Sequence, residues 1–179
     1  ALFDDFNGTG LDGNQWFLGG NSPLITIQSG QANLGAGAFI SGKSVLTYAR
    51  IETRLYLSST GDIAWWGFEE SPNDSPNFIV FQKSASLFQA LVRQNNSNHS
   101  SNLVNPGLSN WHTYRVDWRN GTVGWYVDNA QVHSDTIAPT VGMIPDLYAF
   151  DVPMTVDWVK VRLLANNEPV MSLCNQSPL

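Results

Sequence analysis

The stretch "WHTYRVDWRNGTVGWYVDNAQVH", Trp111 to His133, decides how the rest of the chain is read. Successive residues of a β-strand point to opposite faces. The first run therefore puts His112, Tyr114, Val116 and Trp118 on one face and Thr113, Arg115, Asp117 and Arg119 on the other. The first set is expected to be buried. The second reads as the outer face of a sheet, its charges partly compensated by neighbours. Asn120-Gly121 between the two runs is a dipeptide favoured where both central residues of a hairpin turn need positive φ. Asp128-Asn129 marks a second tight turn before Ala130. Trp125 and Tyr126 are split by parity, one to a core and one outward.

Working outward, helical periodicity is almost absent, and short alternating or β-branched runs are punctuated by Gly, Asn, Asp, Ser and Pro. Twelve strands are expected: "ALFDDF", "LITIQSGQANL", "AFISG", "ARIETRLYLS", "DIAWWGFEE", "NFIVFQK", "LFQALVRQ", "HTYRVDWR", "TVGWYVDN", "AQVHSD", "DLYAFD" and "MTVDWVKVRLL". An all-β chain of this kind predicts a two-sheet antiparallel β-sandwich. The segment "RQNNSNHSSNLVNPGLSN" reads as the longest polar loop. No linker interrupts the pattern, so residues 1–165 are expected to form one domain, followed by a tail over 166–179.

Composition narrows the function classes. The chain has 179 residues, of which 42% are hydrophobic and 12% aromatic. Only 13% are charged, against roughly 25% in ordinary domains, so Asn, Ser, Thr, Gln and Gly must carry the surface. A net charge of -6 without a Lys/Arg cluster argues against nucleic acid and anionic membranes. No apolar run approaches a membrane span, and "ALFDDFNG" carries no signal-peptide pattern, so a secreted protein would be read here as a mature or trimmed chain. Cys174, the single cysteine, excludes an internal disulfide and reads as a spare thiol. Sequons at Asn7, Asn73, Asn95, Asn98, Asn120 and Asn175 agree with an extracellular or cell-surface location.

Four segments together resemble the concanavalin A-like lectin/glucanase superfamily, in particular glycoside hydrolase family 16. They are "FDDFNGTGLDGNQW", "YARIETRL", the Trp111–His133 hairpin and "MTVDWVKV", in the family's order. The resemblance implies a jelly roll of two curved sheets with polysaccharide lying in the concave one. The family's retaining enzymes carry Glu-x-Asp-x-Glu, or the same with one residue inserted, on one strand. Retaining hydrolysis needs two carboxyls roughly 5 to 5.5 Å apart, and alternate residues of one strand can supply them. The matching strand here is "NFIVFQ", whose positions Asn77, Ile79 and Phe81 or Gln82 hold no carboxylate. Neither an amide nor a hydrocarbon replaces a carboxylate as nucleophile or proton donor.

The neighbouring stretch "GDIAWWGFEESPND" offers the remaining chemistry. By parity Trp65 and Trp66 face opposite ways, and Trp65 is expected in the groove together with Glu69. An indole suits the C–H face of a pyranose while nearby amides bond its hydroxyls. Asn77, Gln82, Gln89 and Arg93 are the other candidate ligand residues. The bland alternatives are packing tryptophans and a polar sheet face without a ligand. Glu69 and Glu70 are adjacent and cannot form one retaining pair; either could work with Asp74, or both could be a solvated strand end. His99, His112 and His133 lack metal-ligand spacing. The resemblance also implies one structural Ca²⁺, with Asp157 as its carboxylate ligand, completed by Asp4 or Asp5 and the carbonyl of Gly42.

Three functions follow as expectations. The first is a non-hydrolytic carbohydrate-binding module for a neutral polysaccharide. The second is a divergent glycan-active enzyme using Glu69, Glu70 or Asp74. The third is a structural or adhesive surface domain. Fold by itself does not choose between them.

Overall fold

The computed structural model describes residues 2–58, 63–72 and 75–165. Asp74, Cys174, the sequons at Asn73 and Asn175 and the tail 166–179 lie outside the described residues. The fold is an all-β sandwich of two antiparallel sheets, as the alternating pattern predicts. One sheet has seven strands, in the order β10 (Ser97–Leu103), β9 (Leu87–Gln94), β8 (Phe78–Ser84), β7 (Ile63–Glu69), β14 (Ile144–Ala149), β5 (Ala38–Gly42) and β2 (Trp16–Gly20). The other has eight: β13 (Ala130–Asp135), β12 (Thr122–Val127), β11 (His112–Arg119), β6 (Ala49–Leu57), β15 (Met154–Leu163), β4 (Gln31–Leu34) and β3 (Ile25–Gln28), with β1 (Leu2–Asp4) pairing β15.

The parity reading of the hairpin holds. Tyr114, Val116, Trp118 and Trp125 are buried between the sheets, and Tyr126 points out. Asp117 is buried despite its outward parity, because Arg50 forks onto both its oxygens at 2.6 Å and Arg115 approaches at 3.4 Å. Arg115 in turn lies 3.6 Å over the Tyr126 ring. At Asn120-Gly121 only the glycine takes positive φ (72°), so the turn is not the one the dipeptide suggested. Asp128 and Asn129 both do, at 48° and 69°.

Three strand expectations need correction. "LITIQSGQANL" is two strands, β3 and β4, folded back at Ser29-Gly30, whose φ values are 55° and 73°. Trp16–Gly20 is a strand that its glycines concealed. The polar segment "SNHSSNL" is not loop but the edge strand β10. Asn95 and Asn96, at φ 51° and 66°, turn the chain so that β10 pairs with β9. An edge strand with one open side tolerates polar residues on both faces, which hides it from a hydrophobicity pattern.

The core that positions the site is aromatic. Trp66, Phe81, Phe88 and Tyr114 pack between the sheets, with Phe81 and Phe88 stacked at 5.5 Å. Trp125 of β12 reaches across and donates its indole N–H to the carbonyl of Val80 at 3.1 Å. The eight-stranded sheet thus pins β8 of the seven-stranded sheet from beneath. Buried donors of this kind are satisfied or costly, so the bond fixes both height and register of the strand above it.

Candidate functional site

The ladders of the seven-stranded sheet place residues from all its strands in register on the outer face. One row runs Gly19, Phe39, Tyr148, Trp65, Gln82, Gln89, Asn102, one residue from each strand. The row divides at its middle. Phe39, Tyr148 and Trp65 supply rings, whereas Gln82, Gln89 and Asn102 supply amides. With strands about 4.8 Å apart, seven strands carry this row across about 29 Å.

The aromatic half is packed edge to face. Trp65 and Tyr148 have ring centroids 4.9 Å apart at 87°, and Phe39 meets Tyr148 at 5.4 Å. Phe150 stacks beside Trp65 at 6.1 Å and Phe17 tilts against Phe39 at 6.1 Å. Phe17 and Phe150 remain 51% and 47% exposed, so ring faces are open to solvent at both ends of the cluster. Gly19 is needed here. A Cβ on it would fall 1.9 Å from the Phe39 ring, which lies over the glycine.

In the amide half, Gln89 Nε2 donates to Asn102 Oδ1 at 2.9 Å, which fixes both side chains across the β9–β10 ladder. Each amide keeps further donors and acceptors. A neighbouring row runs Glu69, Phe78, Arg93, Asn98. Arg93 Nε donates to Asn98 Oδ1 at 2.7 Å, and its guanidinium lies 4.5 Å over the Phe78 ring. Between the two rows is a depression of ≈ 150 Å³, lined by Trp65, Glu69, Phe78, Val80, Gln82, Leu91, Arg93 and Asn98. Phe78, Val80 and Leu91 of this lining form a small apolar cluster packed against Trp65.

The sequence-based candidates divide accordingly. Trp65, Glu69, Gln82, Gln89 and Arg93 share this face, while Trp66 belongs to the core. Asn77 does not join them. It precedes β8 and is buried, its Nδ2 donating to Glu70 Oε2 at 2.7 Å and its Oδ1 accepting from the Asn95 N–H at 3.0 Å, so it clamps two turns together. Glu70 is thereby a turn residue as well. The residues of β8 that face outward are Phe78, Val80 and Gln82; Ile79 and Phe81 are in the core. The expected alternation was one residue out of step: Ile79 and Phe81, which share Asn77's parity, pack into the core. On either parity β8 presents no carboxylate.

Sequence reasoning missed Asp146. It stands on β14 opposite Gly67, one diagonal step from Glu69 on the same face, and diagonal positions are about 7–8 Å apart. Both acids are nearly covered, at 1% and 2% exposure. Burial pushes the Asp146 carboxyl up to about 7, although Ser41 Oγ donates to it and pulls the other way. Burial also raises the Tyr148 phenol, and the charges of Asp146 and then Glu69 raise it further. The signal available in the sequence was the alternation Asp146, Tyr148, Phe150 in a strand otherwise read only for its fold.

The calcium ligands fit poorly. Asp157 sits at a bulge of β15, where Arg54 Nη1 holds its Oδ2 at 2.5 Å. Asp5 Oδ1 accepts the Asn7 N–H at 3.3 Å, Asp4 takes the Trp16 indole N–H at 2.7 Å, and Gly42 belongs to the other sheet. Among the described residues no three His, Cys, Asp or Glu side chains converge. A guanidinium already neutralises the one carboxylate such a site would need most.

Residues 84–169, just under half of the chain, match the family model for glycosyl hydrolases family 16. The matched region begins at the end of β8, so the strand that departs from the family pattern is outside it. The fold is similar to a Bacillus licheniformis β-glucanase, with a TM-score of 0.72 and 17% identity over 88% of this chain and 95% of that one. It is also similar to an endo-β-1,3-glucanase from Pyrococcus furiosus (TM-score 0.69, 14% identity, 90% and 92% covered). A laminarinase from Flavobacterium sp. UMI-01 gives a TM-score of 0.69 at 16% identity, covering 90% and 98%. No curated protein matches the chain significantly. The resemblance read from the four segments is borne out in the concanavalin A-like fold and in the family model over the second half.

Proposed function

We propose that the outer face of the seven-stranded sheet binds a neutral polysaccharide and holds it without cleaving it. The observation that carries this reading is the in-register row from Phe39 to Asn102. Rings offer flat apolar surfaces to the C–H faces of sugars, and amides offer donor and acceptor together to their hydroxyls. The row crosses the strands, so successive sugar units would meet rings on one side of Trp65 and amides on the other. The names borne by similar folds, a β-glucanase, an endo-β-1,3-glucanase and a laminarinase, support a glycan as the ligand class. Such a ligand would be met outside the cell or at its surface. Affinity electrophoresis through β-glucan, galactan, xylan and glycol-chitin gels tests the reading. Retardation on at least one, abolished in Trp65→Ala, is expected; free migration on all of them refutes it.

One observation favours a second reading, glycan cleavage with relocated acids. Asp146 holds its proton near neutral pH while Glu69 lines the depression one diagonal step away. A carboxyl group that keeps its proton beside a second acid offers a proton donor for such a reaction. Reducing-end release that disappears in both Glu69→Gln and Asp146→Asn would establish it. Release unchanged in both, or none at all, excludes it.

A further inference from the structure

We infer that the depression between Trp65 and Arg93 takes the acetamido group of an N-acetylhexosamine unit, which deepens the glycan-binding reading above and rests on it. The lining is the argument. Most of a sugar-binding face should meet hydroxyls, yet this depression is lined by an apolar cluster of Phe78, Val80 and Leu91, the Phe78 ring itself lying under the Arg93 guanidinium. A hydroxyl lowered onto those side chains gives up its water and gains no partner. A methyl group gains contact there and loses nothing.

The rim supplies what the rest of an acetamido group needs. Glu69 lines one wall, and a carboxylate accepts at several lone-pair positions, so it can take an amide N–H beside its existing interactions. Gln82 lines the depression from the Trp65 row, and Asn98 from the Glu69 row, at its β10 end. Arg93 occupies the Asn98 Oδ1, which leaves Asn98 Nδ2 as a donor for a carbonyl. Trp65 closes the end of the depression and can carry the C–H face of the same ring. Methyl on the apolar cluster, N–H toward Glu69 and carbonyl toward Asn98 form one geometry that a plain hexose cannot satisfy. The space of ≈ 150 Å³ admits a substituent and one side of its ring, not a whole disaccharide.

The test compares ligands that differ only in this group. Chitotriose and cellotriose share length and linkage, as do the methyl glycosides of N-acetylgalactosamine and galactose apart from the acetamido group. Calorimetric or NMR titration of the full chain is expected to give about tenfold tighter binding of the acetylated member in at least one pair, the scale of a filled apolar pocket. Leu91→Asn should bring the two members within about threefold of each other, and Leu91→Met should keep the preference. Equal affinity within both pairs, or retention on an acetamido-free polysaccharide alone, overturns this inference and leaves polysaccharide binding standing. Failure to bind any glycan at all overturns both.

Discussion

Trp65 on β7 and Gln82 on β8 stand directly opposite one another in the ladder, and the outer face changes character between them. Toward β2 lie rings, and toward β10 lie amides. The site is therefore a product of register. A slip of one residue in β7 would turn Trp66 outward and bury Trp65, and one in β8 would turn Phe81 outward and bury Gln82.

Trp65 should be the largest single contributor to glycan affinity. Trp65→Ala is expected to weaken binding about tenfold or more, since it removes a central ring that also orients Tyr148 and Phe150. Trp158→Ala on the other sheet, where Lys160 lies 4.4 Å over the ring, should leave affinity unchanged. Affinity electrophoresis of both variants, with thermal melts as the folding control, checks the contrast.

Asp146 should make the fold less stable as pH rises. Its carboxyl is raised from the ordinary 3.8 to about 7 by burial. Between those values the unfolded chain has released the proton and the folded chain keeps it. Folding therefore binds a proton, and stability falls across about pH 4 to 7, levelling off above 7. Asp146→Asn removes that contribution. Urea melts of both proteins should show the advantage of the variant growing from pH 4.5 to 7 and constant beyond. A difference that shrinks with rising pH would contradict the assignment.

Tyr114 carries a cost in the core. Its ring packs against Trp66, Phe81 and Phe88, its buried hydroxyl meets no hydrogen-bond partner among the described residues, and burial holds the phenol far above its usual range. Tyr114→Phe should be neutral or stabilising by up to ~1 kcal/mol. A loss of more than ~1 kcal/mol in chemical denaturation would mean that the hydroxyl has a bonding role.

The ion pair of Arg50 and Asp117 should matter more than a surface pair. Both side chains are largely covered and the geometry is bidentate. Asp117→Ala leaves Arg50 and Arg115 covered without their shared carboxylate and should cost about 3 kcal/mol. A double-mutant cycle with Arg50→Ala, read by urea denaturation, should give a coupling above ~1 kcal/mol.

Much of the fold was legible because alternation is a local signal with long reach. The Trp111–His133 hairpin declared its buried face correctly, and its outer face except at Asp117, and the same rule sent Trp65 outward and Trp66 inward. Legibility failed where strands carry no such contrast. β10 has polar residues on both faces of an edge, and β2 hides behind the paired glycines that let Phe39 cover it. The site was half legible. Trp65 and Glu69 could be placed by parity, and Gln82, Gln89 and Arg93 were named among the candidates, but Asn77, named with them, is held away by Glu70 and Asn95 through tertiary bonds. Asp146 became visible only when β14 was seated between β7 and β5, a pairing that joins residues far apart in the chain.

The most direct test of glycan binding on this face is a ¹H–¹⁵N titration of the side-chain N–H signals with soluble oligosaccharides. The Trp65 indole and the amides of Gln82, Gln89 and Asn102 should shift together, while the Trp158 indole on the opposite sheet stays fixed. Shifts confined to the eight-stranded sheet, or no shift with any oligosaccharide, would contradict the account.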